Sequence, residues 1–147
     1  MSEKNFWHLL RTSLPLKMYR VENRVMRGMP DIHYINKDGE SGWIELKYLN
    51  HWPEKRVSTG LALNQVIWLK EYKSHKGHCW VLIRIGRNFI GLIDGSNSKE
   101  VYNRVSKTKF SDLLHWHKKG NMTKEDWLDL SKVFCDKYSL LLEQKLY

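Results

Sequence analysis

Only two cysteines, Cys79 and Cys135, occur in the 147 residues. Two are too few for a disulfide framework, and their separation has none of the short spacing of a zinc site. Both lie in apolar surroundings, where a buried free thiol is the default. Prolines number three, and there is no low-complexity tract, internal repeat or linker that would divide the chain. No apolar run approaches the roughly 20 residues needed to span a bilayer. The opening stretch MSEKNFWHLLRTSL is broken by Lys4, His8 and Arg11, so it does not read as a secretion signal. A soluble, intracellular, cytoplasmic protein is expected. Acid is the remaining deficit: 16 Asp and Glu stand against 25 Lys and Arg, a net charge of +9. A surplus of that size attracts polyanions, nucleic acid first among them.

What the chain does have is a core. A hydrophobic fraction of 41% with seven tryptophans and seven tyrosines lets a small domain remove large ring areas from water. Phe6, Leu9, Leu10 and Leu14 recur at helical spacing over residues 3–13, with Ser2 as N-cap, Glu3 in the first turn and Pro15 beyond the end. LKMYRVENRV alternates as a strand, and DIHYIN and SGWIELKYL read as two more, joined by KDGE. Residues 51–60 form a polar loop, and LALNQVIWLKEYKSHKG is a helix stopped by Gly77. HCWVLIRI and NFIGLID form a hairpin over Gly86-Arg87. Beyond Asp94-Gly95 the character turns helical: short helices near 98–106 and 110–118, then a longer one from 124 to about 145. In the last, Trp127, Leu130, Phe134, Tyr138 and Leu141 make one stripe, opened by a Thr123–Asp126 capping box. The order helix, three strands, helix, two strands, helical tail describes an α/β fold around a central mixed sheet.

Chemistry concentrates in Gly28-Met29-Pro30-Asp31 and Ile44-Glu45-Leu46-Lys47. Alternate residues of a strand share a face, so Glu45 and Lys47 point one way and Ile44 and Leu46 the other. Whether Asp31 joins them depends on the hairpin register. A three-residue loop over 37–39, with Gly39 left-handed, pairs Asn36 with Glu40 and therefore Asp31 with Glu45, Cβ atoms roughly 5 Å apart. A two-residue Asp38-Gly39 loop slips the register by one and separates them. The longer loop is the preferred reading. Two facing carboxylates need a cation or a shared proton. Mg²⁺ suits them, since it takes one or two protein carboxylates beside water and phosphate. Lys47 would then orient or help deprotonate the attacking water and balance phosphate charge. The alternative is an accidental Asp, Glu and Lys on the solvent face of an ordinary hairpin.

GMPD, a hairpin and WIELK resemble the signature of PD-(D/E)XK nucleases. The stretch RVENRVMRGMPDIHYINKDGESGWIELK is similar to small phage and prophage nucleases related to the VRR-NUC and Holliday-junction-resolvase-like groups. The resemblance spans residues 3 to about 94. It implies a restriction-endonuclease-like fold: a nuclease core over 1–95, and a helical C-terminal extension over 96–147 packed on the core or forming a dimer interface. It implies further that Asp31 and Glu45 hold Mg²⁺, with Mn²⁺ able to substitute, and that Lys47 is the signature lysine.

Gln65 falls on the inward stripe of Leu61, Trp68, Leu69 and Tyr72, where a buried amide must find a partner. Related nucleases carry a glutamine on this helix near the active site. A further acid is usual, and Glu22, on the strand before the signature with Arg20 on the same face, is preferred over Glu3 on the first helix. His33 shares Asp31's face. Trp52, Lys55 and Arg56, in the loop with His51, combine cations and an aromatic suited to phosphate contact and base stacking, as Arg20 would on its strand. The pair His115 and His117 is discounted as a metal site.

The resulting expectation is a Mg²⁺-dependent DNA endonuclease. It would recognise branched DNA or Holliday junctions more than base sequence, since no base-reading motif is present. A resolvase needs two active sites, hence a homodimer. The alternatives are a nicking or single-strand nuclease, a non-catalytic DNA-binding module on the same fold, and a nuclease acting on RNA.

Overall fold

A computed structural model describes residues 2–22 and 26–134. Helix α1 (Glu3–Ser13) begins where Ser2 Oγ accepts a hydrogen bond from the Asn5 N–H, and its Phe6 and Leu10 are fully buried. Strands β1 (Lys17–Arg20), β2 (Ile32–Ile35) and β3 (Ser41–Leu49) form an antiparallel meander. The turn into β3 is fixed by local chemistry. Asn36 Oδ1 accepts from the N–H groups of Asp38 and Glu40, and the Asn36 N–H donates to the Glu40 carbonyl at 2.9 Å. Gly39 is left-handed at φ 81°, a conformation that disfavours any residue with a Cβ. The three-residue loop is thus the one adopted.

The polar stretch 51–60 holds a short strand, β4 (Arg56–Val57), which pairs with β7 (Val105–Ser106) as a separate two-stranded ribbon. Helix α2 (Leu63–Ser74) is shorter than the 61–77 expected. It ends through a left-handed Lys76, φ 63°, with the Gly77 N–H donating to the Tyr72 carbonyl at 3.1 Å; the left-handed residue is the lysine, not the glycine. Strand β5 (Cys79–Ile85) lies parallel to β3, the crossover being made by α2, and β6 (Phe89–Asp94) returns antiparallel over Gly86-Arg87 as expected.

The segment after Asp94 departs most from the sequence reading. Two 3₁₀ turns (Gly95–Asn97 and Lys99–Val101) and helix α3 (Lys107–Asp112) are present, but Trp116–Lys119 is a strand, β8, paired with β6. A helix over 110–118 is therefore corrected to a short helix and a strand. The physical reason is the open edge of β6. Its backbone groups need partners, and four alternating residues, Trp116 to Lys119, supply them. Helix α4 (Lys124–Val133) opens with the expected capping box, Thr123 N–H to Asp126 Oδ2 at 2.9 Å and Asp126 N–H to Thr123 Oγ1 at 3.1 Å. Cys135, Tyr138 and Leu141 lie outside the described residues.

The main sheet has the order β1-β2-β3-β5-β6-β8 and a core on each face. On one, Ile32, Tyr34, Ile44, Leu46, Trp80, Leu82 and Leu92 pack against Phe6 and Leu10 of α1 and Trp127 and Leu130 of α4. The other sets Val81, Ile83 and Ile85 against Val66 and Leu69 of α2 and Phe110 of α3. Alternation in β3 places Ile44 and Leu46 in the first core, so Glu45, Lys47 and Leu49 are on the face that α2 covers. Among the described residues no helix is long and apolar enough to cross a membrane.

Candidate active site

Asp31 and Glu45 meet because of the turn at Gly39. The ladder pairs Ile32 with Ile44, and the next position back sets Asp31 opposite Glu45. The approach to Asp31 depends on a second glycine. Gly28 is left-handed at φ 87°, and a Cβ there would collide with the Asn64 carbonyl at the start of α2. That close contact seats the segment before Asp31 on the helix carrying Gln65.

Asp31 and Gln65, on either side of Glu45, are each oriented by backbone. Asp31 Oδ2 accepts from the Leu46 N–H at 3.0 Å. Ala62, the N-cap of α2, has no side-chain acceptor, and its N–H donates to Gln65 Oε1 at 2.9 Å. The amide orientation follows: Oε1 is committed to a donor, so the Gln65 Nε2 group faces Glu45 and donates to its Oε1 at 2.8 Å. Lys47 Nζ stands 3.4 Å from the same Glu45 Oε1. Glu45 Oε2 is buried and has no hydrogen-bond partner.

Burial is the first cause that drives the Glu45 carboxyl up to about 8, and the facing Asp31 carboxylate is the second. Lys47 opposes both, but its attraction is smaller. Without a further cation Glu45 thus keeps its proton at neutral pH, with Lys47 Nζ 3.4 Å away. Among the described residues no three His, Cys, Asp or Glu side chains form a ready-made metal cage. An ion content with two carboxylates, such as Mg²⁺, does not need one. The donor set is hard oxygen, and the unpartnered Oε2 beside Asp31 is the kind of atom such an ion satisfies.

The structure also places the two candidates for an additional acid. Glu3, at the start of α1, is half-buried, and burial raises its pKa, with Asp31 adding to the rise and Lys47 and Arg20 opposing it. Its electrostatic neighbours are therefore the site's own residues. Glu22 lies past the end of β1, exposed. Arg20 is exposed at the end of β1, opposite Ile32 and within electrostatic reach of Glu3. His33 packs at 4.8 Å on Trp43, which meets Trp68 at 5.8 Å, forming an aromatic row beside the carboxylates. Trp52, 39% exposed, packs edge-on against Phe89 and Phe110. Lys55 and Arg56 are exposed in and beside β4. His115 and His117 sit on different partners, Trp80 and Phe89.

No family model matches the chain, and neither does any curated protein sequence. Solved structures do match. One is Hjc, a Holliday junction resolvase from the archaeal hyperthermophile Archaeoglobus fulgidus, at a TM-score of 0.54 and 14% identity. The alignment covers 90% of this chain and 96% of that one. The likeness expected from GMPD and WIELK is thereby found in the fold: a central mixed sheet flanked by helices, as in that resolvase.

Proposed function

We propose that this chain is a divalent-metal-dependent nuclease that hydrolyses phosphodiester bonds of DNA, selecting branched substrates by shape. The observation that carries the reading is the buried Glu45 with one oxygen unpartnered, facing Asp31 and flanked by Lys47 and Gln65. Asp31 and Glu45 would hold Mg²⁺ or Mn²⁺. The ion supplies charge neutralisation and a more acidic water in that setting.

The chain's own residues do the rest. The Leu46 N–H and the Gln65 amide each fix one oxygen of a carboxylate, leaving the second oxygen of each for the ion. Lys47 Nζ, beside Glu45, would offset the charge that accumulates on the phosphate and would orient the attacking water. Glu3 is preferred over Glu22 as the additional acid, because its charge couples to Asp31 and Lys47. Arg20 extends positive charge from the same end of the site. The fold likeness to a resolvase supports branched DNA as the substrate, and two sites per junction would require a homodimer.

The test is cleavage of labelled linear, single-stranded, flapped and four-way-junction DNA, and of RNA, with Mg²⁺, Mn²⁺ or EDTA. Cutting of branched DNA that needs metal and disappears in Asp31→Ala, Glu45→Ala and Lys47→Ala is the expected result. Preference for unbranched single strands would give the nicking or single-strand reading. Tight, salt-sensitive binding with no cutting in any metal would leave a DNA-binding module.

A further inference from the structure

A cavity of about 520 Å³ lies at the end of β3, lined by Leu49, His51, Lys55, Arg56 and Arg104 among others. The cations reach it from two segments far apart in sequence. Lys55 and Arg56 come from the loop and strand β4, and Arg104 comes from the residues just before β7. The β4–β7 ribbon, Arg56 opposite Ser106 and Val57 opposite Val105, holds the two segments together. Its anchor is buried: Val57 and Val105 are in the core, and Thr59 Oγ1 donates to the Val101 carbonyl at 2.9 Å. No acidic residue lines the cavity. Among the described residues none of Lys55, Arg56 and Arg104 forms an ion pair, whereas Lys73 and Lys118 each have a carboxylate partner. Like charges gathered in one concavity repel unless an anion joins them.

We infer that this cavity binds a backbone phosphate of the nucleic-acid strand entering the site, with Arg104 and Arg56 as its ligands. The inference rests on the nuclease reading for the identity of the strand. Glu45 and Leu49 are on one face of β3, four residues apart. At the strand rise of ~3.3 Å per residue this sets the cavity about 13 Å from the carboxylates. The phosphate bound there is therefore a few nucleotides from the scissile one, and its contact sets where the strand lies without touching the reaction. Guanidinium groups suit the role, because their fork makes paired hydrogen bonds to phosphate oxygens.

Binding of a four-way junction is measured in EDTA across a salt series for the full chain, Arg104→Ala, Arg56→Ala, Arg104→Lys and a control, Lys124→Ala. Both arginines are exposed, so the substitutions leave the fold intact. Each alanine variant should lower the slope of log affinity against log salt by about 1. Affinity should weaken about tenfold, the size of one charge-assisted hydrogen bond. Arg104→Lys should restore most of the slope. A neutral methylphosphonate placed at single positions along the strand should weaken the full chain at one site and leave Arg104→Ala indifferent there.

Slopes no different from that of Lys124→Ala would overturn the inference. So would calorimetric binding of inorganic phosphate that Arg104→Ala abolishes while the DNA slope stays unchanged, since the cavity would then take a free anion. The measurement requires neither metal nor cutting. If the chain cuts nothing but the cavity variants shift the slope, the nuclease reading falls and the phosphate site stands. If the chain cuts but the slopes do not move, the reverse holds.

Discussion

Replacing Glu45 with glutamine separates what the carboxylate gives to chemistry from what it costs the fold. Glu45 is 2% exposed, and burial with the facing Asp31 raises its pKa from 4.5 to about 8. Each tenfold change in proton affinity is worth about 1.4 kcal/mol. In the unfolded chain the group ionises near its ordinary value; in the folded protein it keeps its proton to about pH 8. Between those two points the native state binds more protons than the unfolded one, so stability falls as pH rises. The favourable contribution is complete below the unfolded value and gone above the folded one, with at most about 5 kcal/mol lost across the window.

Glutamine has nearly the same shape and no charge. Its carbonyl can accept from Gln65 Nε2, and its amide can donate to Asp31. Glu45→Gln should therefore cut nothing, yet exceed the parent in stability at pH 8 by about 2–5 kcal/mol in metal-free buffer. Denaturant unfolding at several pH values between 5 and 8, with EDTA, checks this. The parent's midpoint should drop through the series relative to the variant's, and added Mg²⁺ should recover the parent alone. Two curves that stay parallel in pH would refute the claim that Glu45 is a buried acid destabilised by ionisation.

Three further outcomes follow from the same geometry. Because Glu45 must lose its proton to hold a cation, each Mg²⁺ bound at pH 7 should release close to one proton, and affinity should weaken about tenfold per pH unit below 8; calorimetry in buffers of different ionisation heat measures the release. Gln65→Ala removes the hydrogen-bond donor from Glu45 Oε1, leaving only Lys47 beside it, and the acceptor from the Ala62 N–H; turnover should fall about 10- to 100-fold, against a stability loss of only about 1–2 kcal/mol. Gly28→Ala meets both a left-handed φ and the Asn64 carbonyl, so it should destabilise by at least about 2 kcal/mol and weaken metal affinity, read by thermal melting with and without Mg²⁺.

How far the sequence disclosed this site depended on how local the cause was. The register that faces Asp31 with Glu45 was legible, because Asn36 and Gly39 set the turn by themselves and alternation did the rest. Gln65 was legible too, as a polar residue on an apolar helical stripe. The placement of Glu3 near Asp31 and Lys47 was not. It turns on where α1 crosses the sheet, a matter of Phe6 and Leu10 packing on Ile44 and Leu46, and the neighbours of Glu3 in sequence do not carry that information. Strand β8 was missed for a related reason: four residues alternate too briefly to distinguish strand from helix, and the open edge of β6 makes the difference. Arg104 carries no signal in the sequence, because it is brought beside Arg56 only by the β4–β7 ribbon, whose strands are two residues each.

A merely structural purpose would be served better by residues other than Asp31, Glu45 and Lys47. An accidental Asp, Glu and Lys on a hairpin would point into solvent, where ionisation costs nothing. Glu45 instead lies at the bottom of the sheet face beneath α2, with an acid opposite it. A leucine would fill that space, and a glutamine would satisfy the same hydrogen bonds. The chain holds an acid there, and backbone groups orient both members of the pair: a helix N-cap turns Gln65 onto Glu45, and a strand N–H holds Asp31. Backbone groups cannot swing away to relieve the repulsion between the acids. What they preserve is a pair of facing acids that keeps a proton at neutral pH without metal, and a divalent cation would have to displace that proton to bind.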